Sequence, residues 1–155
     1  MLFNLTSERP LDGLEDRIRS APTLTPALVG EVVAQACTRL PTMKKAGKSP
    51  GLDRLIEAGA WSDVALALLA VELPSWQIRR LVYDDGEWFC SLTQAANLPL
   101  AHDDTADGHH QSLPLAILGA FIEARKRTLT ASTAVPVVSI TRANSACTMS
   151  CDNFA

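Results

Sequence analysis

The chain is poor in aromatic residues, which make up 5% of its 155 positions, and it has a single tyrosine. It contains no apolar run near the roughly 18 residues of a membrane helix, so a membrane partner is not expected. No G-x-S-x-G, P-loop, H-E-x-x-H or C-x-x-C occurs in it. The local signatures of serine hydrolases, phosphate cradles, zincins and thiol oxidoreductases are therefore missing. A basic surface is missing too: the net charge is −3, and the pI is about 5.5. Duplex nucleic acid is an unlikely match for such a balance, because phosphate contacts need a basic stripe or patch. The one short basic cluster, Lys44, Lys45 and Lys48, falls where a helix should be ending, and cations there suit the helix dipole. The first residues carry neither a basic leader nor an apolar core of signal-peptide type, so the expected location is cytoplasmic.

Cysteine is present four times, but in no metal or redox pattern. Cys37 and Cys90 sit among apolar neighbours and read as small buried hydrophobes. Cys147 and Cys151 have C-x3-C spacing with no second ligand pair. Four free thiols are the expectation.

What remains is ordinary globular material, 47% apolar and 20% charged, and long enough to bury a core without staples. Residues 1–127 are expected to form one α+β domain, mostly helical. Residues 10–58 make its helical part and 61–127 an α-β-β-α unit built on a two-stranded antiparallel hairpin. Leu11, Leu14 and Ile18 share one side of a first helix. Thr25 followed by Pro26 is a strong start signal for a second, which runs to Leu40, where Pro41 ends or kinks it. Residues 42–49 read as an exposed connection. Ser49-Pro50 and Gly59 bracket a third helix, and Ser62 and Pro74 a fourth.

In the hairpin, Asp85-Gly86 supplies the positive-φ pair of a type I′ turn. Tyr83 should then face Trp88, and Leu81 should face Cys90. One sheet face carries Leu81, Tyr83, Trp88, Cys90 and Leu92 and is the better core candidate. The other carries Trp76, Ile78, Val82 and Phe89, interrupted by Arg80, Ser91 and Thr93. Residues 94–111 read as a loop, rich in Asp and His. Leu113 to Ala124 keep a helical period without a break, and residues 128–155, mostly Thr, Ser, Ala and Val, read as a disordered tail. The order helix, strand, Asp-Gly turn, strand, acidic loop and a helix opening Leu113-Pro114-Leu115-Ala116-Ile117 resembles the phage ABA sandwich domain among small bacterial and phage proteins. That resemblance covers residues 61–127, implies a layered α+β fold, and carries no activity.

Two clusters have chemistry-bearing side chains. His102, Asp107, His109 and His110 offer imidazole and carboxylate ligands for a divalent metal such as zinc, manganese or iron. The plainer reading is a solvated loop whose Asp and Gly make turns. Arg79 and Arg80, near Trp76 and Trp88, offer an arginine fork with stacking rings for a nucleotide or a nucleic acid. The plainer reading is that their stems cover an exposed sheet face. With no catalytic constellation and a surplus of apolar sheet surface, the expected function is a non-catalytic protein-binding or self-associating module, with no cofactor. The partner would be another protein or a second copy of the chain. The metal and nucleotide readings stand as alternatives.

Overall fold

The structure is a computed structural model and describes residues 11–48, 51–94 and 105–133. The arm 1–9, the Ser49-Pro50 cap, His102, Cys147, Cys151 and the segment 134–155 lie outside the described residues. The described elements are, in order, α1 (Asp12–Ser20), α2 (Pro26–Ala36), α3 (Arg39–Lys45), α4 (Leu52–Glu57), α5 (Trp61–Glu72), β1 (Trp76–Asp84), β2 (Glu87–Gln94), β3 (Thr105–His110) and α6 (Leu113–Thr133). The fold is α+β and mostly helical, as the sequence pattern implies. Among the described residues no helix is long and apolar enough to cross a membrane.

The local start signals act as expected at α2, where the Thr25 hydroxyl accepts from the Leu28 N–H at 3.3 Å and Pro26 opens the helix. The helix ends at Ala36, however, before Pro41 is reached. The cause lies elsewhere in the chain. Glu72, at the end of α5 and only 3% exposed, directs its carboxylate at the start of α3. It accepts from the N–H groups of Thr38 (3.0 Å), Arg39 (3.1 Å) and Leu40 (2.6 Å). The next residue is Pro41, which has no N–H. The donors that a helix start leaves unpaired are thus all accounted for. On the other side of the break, Arg125 of α6 donates to the Ala36 carbonyl at 2.8 Å and to the Thr38 hydroxyl at 3.3 Å. An anion at an N-terminus and a cation at a C-terminus both suit the helix dipole. Residues 42–45, expected in a connection, are therefore helical.

Two other boundaries differ. Ser62 lies inside α5, which starts at Trp61 without a side-chain cap. Helix α6 continues past residue 127 to Thr133. Its threonines are accommodated because Thr128 and Thr130 donate to the carbonyls of Ala124 and Lys126, four residues back, at 2.9 Å each.

Among the described residues the sheet has three antiparallel strands in the order β1-β2-β3, one more than the hairpin alone. The two-residue turn forms as expected, with Asp85 (φ 49°) and Gly86 (φ 87°) both left-handed. Asp84 faces Glu87, Tyr83 faces Trp88, and Leu81 faces Cys90. The third strand, Thr105–His110, comes from the stretch expected to be loop. Its Ala106 and Gly108 pair with Leu92 and Cys90. Gly108 is needed for packing, since a Cβ there would sit 2.3 Å from the Ala116 carbonyl oxygen and 2.4 Å from the Ala120 nitrogen. Strand and helix touch backbone to backbone, and Gly119 of α6 meets the Gly108 Cα.

That contact seats α6 on the face formed by Cys90, Leu92, Ala106 and Gly108. Leu115 to Leu118, Ala120 to Ile122 and Ala124 are all buried, so α6 is enclosed on nearly all sides. Helices α1 and α5 also pack on it, and Lys126 ties it to Asp12 (2.6 Å) and Glu15 of α1. Fully burying each large apolar side chain contributes about 1.5–3 kcal/mol, so this helix anchors the core. The order of the chain offers helices 25–40 and 50–58 as a cover for one face of the sheet. Among the described residues that role falls to α6, and α3 and α4 pack on α5.

Candidate functional site

A β-bulge decides what the uncovered sheet face displays. The register steps from Ile78↔Leu92 to Arg80↔Ser91, which leaves Arg79 as the extra residue. Trp76 and Ile78 are thereby moved to the helix side. Trp76 is 7% exposed and part of the core, and its indole N–H has no hydrogen-bond partner among the described residues. The expectation that it shares a face with Val82 and Phe89 is corrected by this one inserted residue. Leu81 and Tyr83, expected in the core, are 38% and 58% exposed. They point to the helix side but stand on an edge strand whose only extensive contact among the described residues is with β2.

The opposite face carries a row of Arg80, Ser91 and Asp107, and beside it a row of Val82, Phe89 and His109. At its centre Phe89 is half-buried between the Arg80 guanidinium and the His109 ring. The Arg80 guanidinium lies 5.8 Å from the ring centroid, and the His109 ring centroid is 4.7 Å away at 48°. A cation over an aromatic face is attracted by the ring quadrupole, by about 0.5–1 kcal/mol where solvent reaches it. Asp84 and Glu87 bring acidic groups to the hairpin end of the same depression, whose volume is about 330 Å³. A second depression of about 280 Å³ shares Glu87 and His109 with it and continues to Arg19 and Pro22.

The same geometry answers the chemical readings one by one. His109 and His110 are neighbours on a strand, so their side chains leave opposite faces. His110 accepts the Ser112 N–H on Nδ1 at 2.8 Å, which holds the entry to α6. Asp107 shares a face with His109 but accepts from Ser91 (2.6 Å) and Thr105 (3.4 Å). Among the described residues no three His, Cys, Asp or Glu groups converge as metal ligands, and His102 lies outside them. The Ser91 hydroxyl donates to a carboxylate, not to an imidazole, so the pair braces two strands and lacks the base of a nucleophilic serine. Burial pushes the Cys37 thiol up to about 12, with Glu72 adding and Arg125 opposing. Burial pushes Cys90 up to about 11, with Asp107 adding. Such thiols are poor nucleophiles. For the nucleotide reading, the ring beside Arg80 is Phe89, because Trp76 is buried and Trp88 packs on the core and on Tyr83 (5.2 Å).

Sequence reasoning placed Arg80 and Phe89 on one face through the Asp85-Gly86 turn. It missed His109 as their neighbour, because β3 has none of the β-branched residues that announce a strand beyond Thr105. No protein-family model, curated protein or solved structure matches this chain.

Proposed function

We propose that the protein is a non-catalytic binding module whose open sheet face, centred on Phe89, receives another protein. The observation that carries this reading is the Arg80–Phe89–His109 stack, left on a face that no helix covers extensively among the described residues. Aromatic and arginine side chains are the types enriched where binding energy concentrates. The acidic rim of Asp84 and Glu87 favours a polypeptide of mixed charge over a polyanion. The resemblance of residues 61–127 to the phage ABA sandwich domain assigns no activity of its own.

Site-specific photocrosslinking tests the reading. A photoreactive residue at position 89 is expected to give a discrete protein adduct in the native host. The same residue at Ala34, exposed on α2, is expected to give none. No adduct from position 89, or the same adduct from both, would remove the proposal.

A further inference from the structure

Among the described residues strand β1 ends the sheet, and its outer edge has a feature that the face does not: it complements itself. The bulge at Arg79 stops the regular edge on one side and the turn at Asp85 stops it on the other. Between them lies the uninterrupted stretch Arg80-Leu81-Val82-Tyr83-Asp84, whose midpoint is Val82. It runs from basic to acidic about that midpoint, and Arg79 and Asp85 continue the same order outside it. Each end therefore carries the charge that the other end would attract.

We propose that β1 pairs antiparallel with β1 of a second copy, about a two-fold axis through Val82, joining two three-stranded sheets into one. A two-fold interface requires a surface that matches itself, and this register supplies one. Arg80 then stands opposite Asp84 of the second copy, twice over. Val82 meets Val82, and Leu81 meets Tyr83. The exposed apolar surface of Leu81 and Tyr83 is covered in the process.

The backbone agrees with this register. The two-residue turn hydrogen-bonds Asp84 to Glu87, so alternation along the ladder turns the N–H and C=O groups of Leu81 and Tyr83 away from β2. These are the residues that the register places in hydrogen-bonded pairs. Arg80–Asp84 and Val82–Val82 then fall in non-hydrogen-bonded pairs, where side chains stand closest. A register shifted by two residues either way loses the charge match. A free strand edge is also what natural proteins otherwise block with bulges or charges, and here the charges attract a second copy. The interface uses the backbone of the strand edge and, at the margin of the Phe89 face, the side chains of Arg80, Val82 and Asp84, so it goes beyond the binding reading and leaves Phe89 and His109 open on both copies.

Sedimentation of the full chain over a range of concentrations tests the proposal. The wild type is expected to be a dimer. Arg80→Asp and Asp84→Arg each place like charges opposite one another at two symmetry-related positions, which weakens association by about 30-fold. An equimolar mixture of the two variants is expected to dimerise again, because every acidic edge then meets a basic one. Circular dichroism confirms that each variant is folded. Val82→Cys, in a background carrying Cys147→Ser and Cys151→Ser, gives a second readout that needs no charge change. Across the two-fold axis the paired Cα atoms lie within disulfide range, so oxidation is expected to yield a covalent dimer. Phe89→Ala is expected to leave the dimer intact. A monomeric wild type, a mixture of folded variants that stays monomeric, or a dimer abolished by Phe89→Ala would each overturn the proposal.

Discussion

Removing the carboxylate of Glu72 is the sharpest perturbation of the helical half. Its two oxygens accept three backbone N–H groups, at 3.0, 3.1 and 2.6 Å, at the start of α3. Hydrogen bonds to a charged acceptor contribute about 1.5–3 kcal/mol each, and three on one carboxylate do not add in full. Thr38 and Arg39 are exposed, so water can take over part of their need, whereas Leu40 is 1% exposed. Glu72→Ala is therefore expected to cost about 3 kcal/mol or more, because it removes the charged acceptor of all three bonds and leaves the buried Leu40 N–H unsatisfied. Glu72→Gln keeps one acceptor oxygen and is expected to cost about 1–2 kcal/mol. Urea unfolding measures both, with Glu57→Ala, an exposed position at the end of α4, as the reference. Hydrogen exchange adds a local test, because the Leu40 amide should lose protection in Glu72→Ala before the core does. The reasoning is refuted if Glu72→Ala lies within about 1 kcal/mol of the Glu57 reference, or if Gln is as costly as Ala.

Two more outcomes follow from the packing. Gly108→Ala forces a Cβ into the Ala116 and Ala120 backbone and is expected to cost about 3 kcal/mol or more in thermal unfolding. Gly119→Ala has only an ordinary 3.6 Å contact to meet and gains helix propensity, so it should be neutral or stabilising by up to about 1 kcal/mol. Cys37 and Cys90 should resist alkylation in the native protein at pH 8 and react only on unfolding, as read by peptide mass mapping. Both thiols are raised from an ordinary 9.0, to about 12 and about 11, by burial. The folded state holds these protons more tightly than the unfolded one. Their stability contribution is thus fully present below pH 9 and lost as pH rises toward 11 and 12, which unfolding midpoints across that window would show.

Signals confined to neighbouring residues could be read directly from the chain. The Thr25-Pro26 start, the Asp85-Gly86 turn with its register, and the periodic apolar run of α6 depend on contacts within a few residues, so composition and spacing specify them. The buried state of Cys37 and Cys90 was legible for the same reason. The α+β class followed from the alternation of these local units. Strand β3 was not legible: Asp107-Gly108 has the composition of a turn, and only the backbone of α6 shows why glycine is required there. Nor was the bulge at Arg79, which moves Trp76 into the core and leaves Phe89 as the aromatic beside Arg80. The end of α2 at Ala36 was equally hidden, because Glu72 and Arg125, which hold it, are 34 and 87 residues away from Thr38. By itself the sequence determined caps, turn and helix faces, whose energies are local. Which sheet face α6 covers, which strand forms the sheet edge among the described residues, and which glycine and carboxylate are indispensable were decided by tertiary structure, because each depends on atoms brought together from distant parts of the chain.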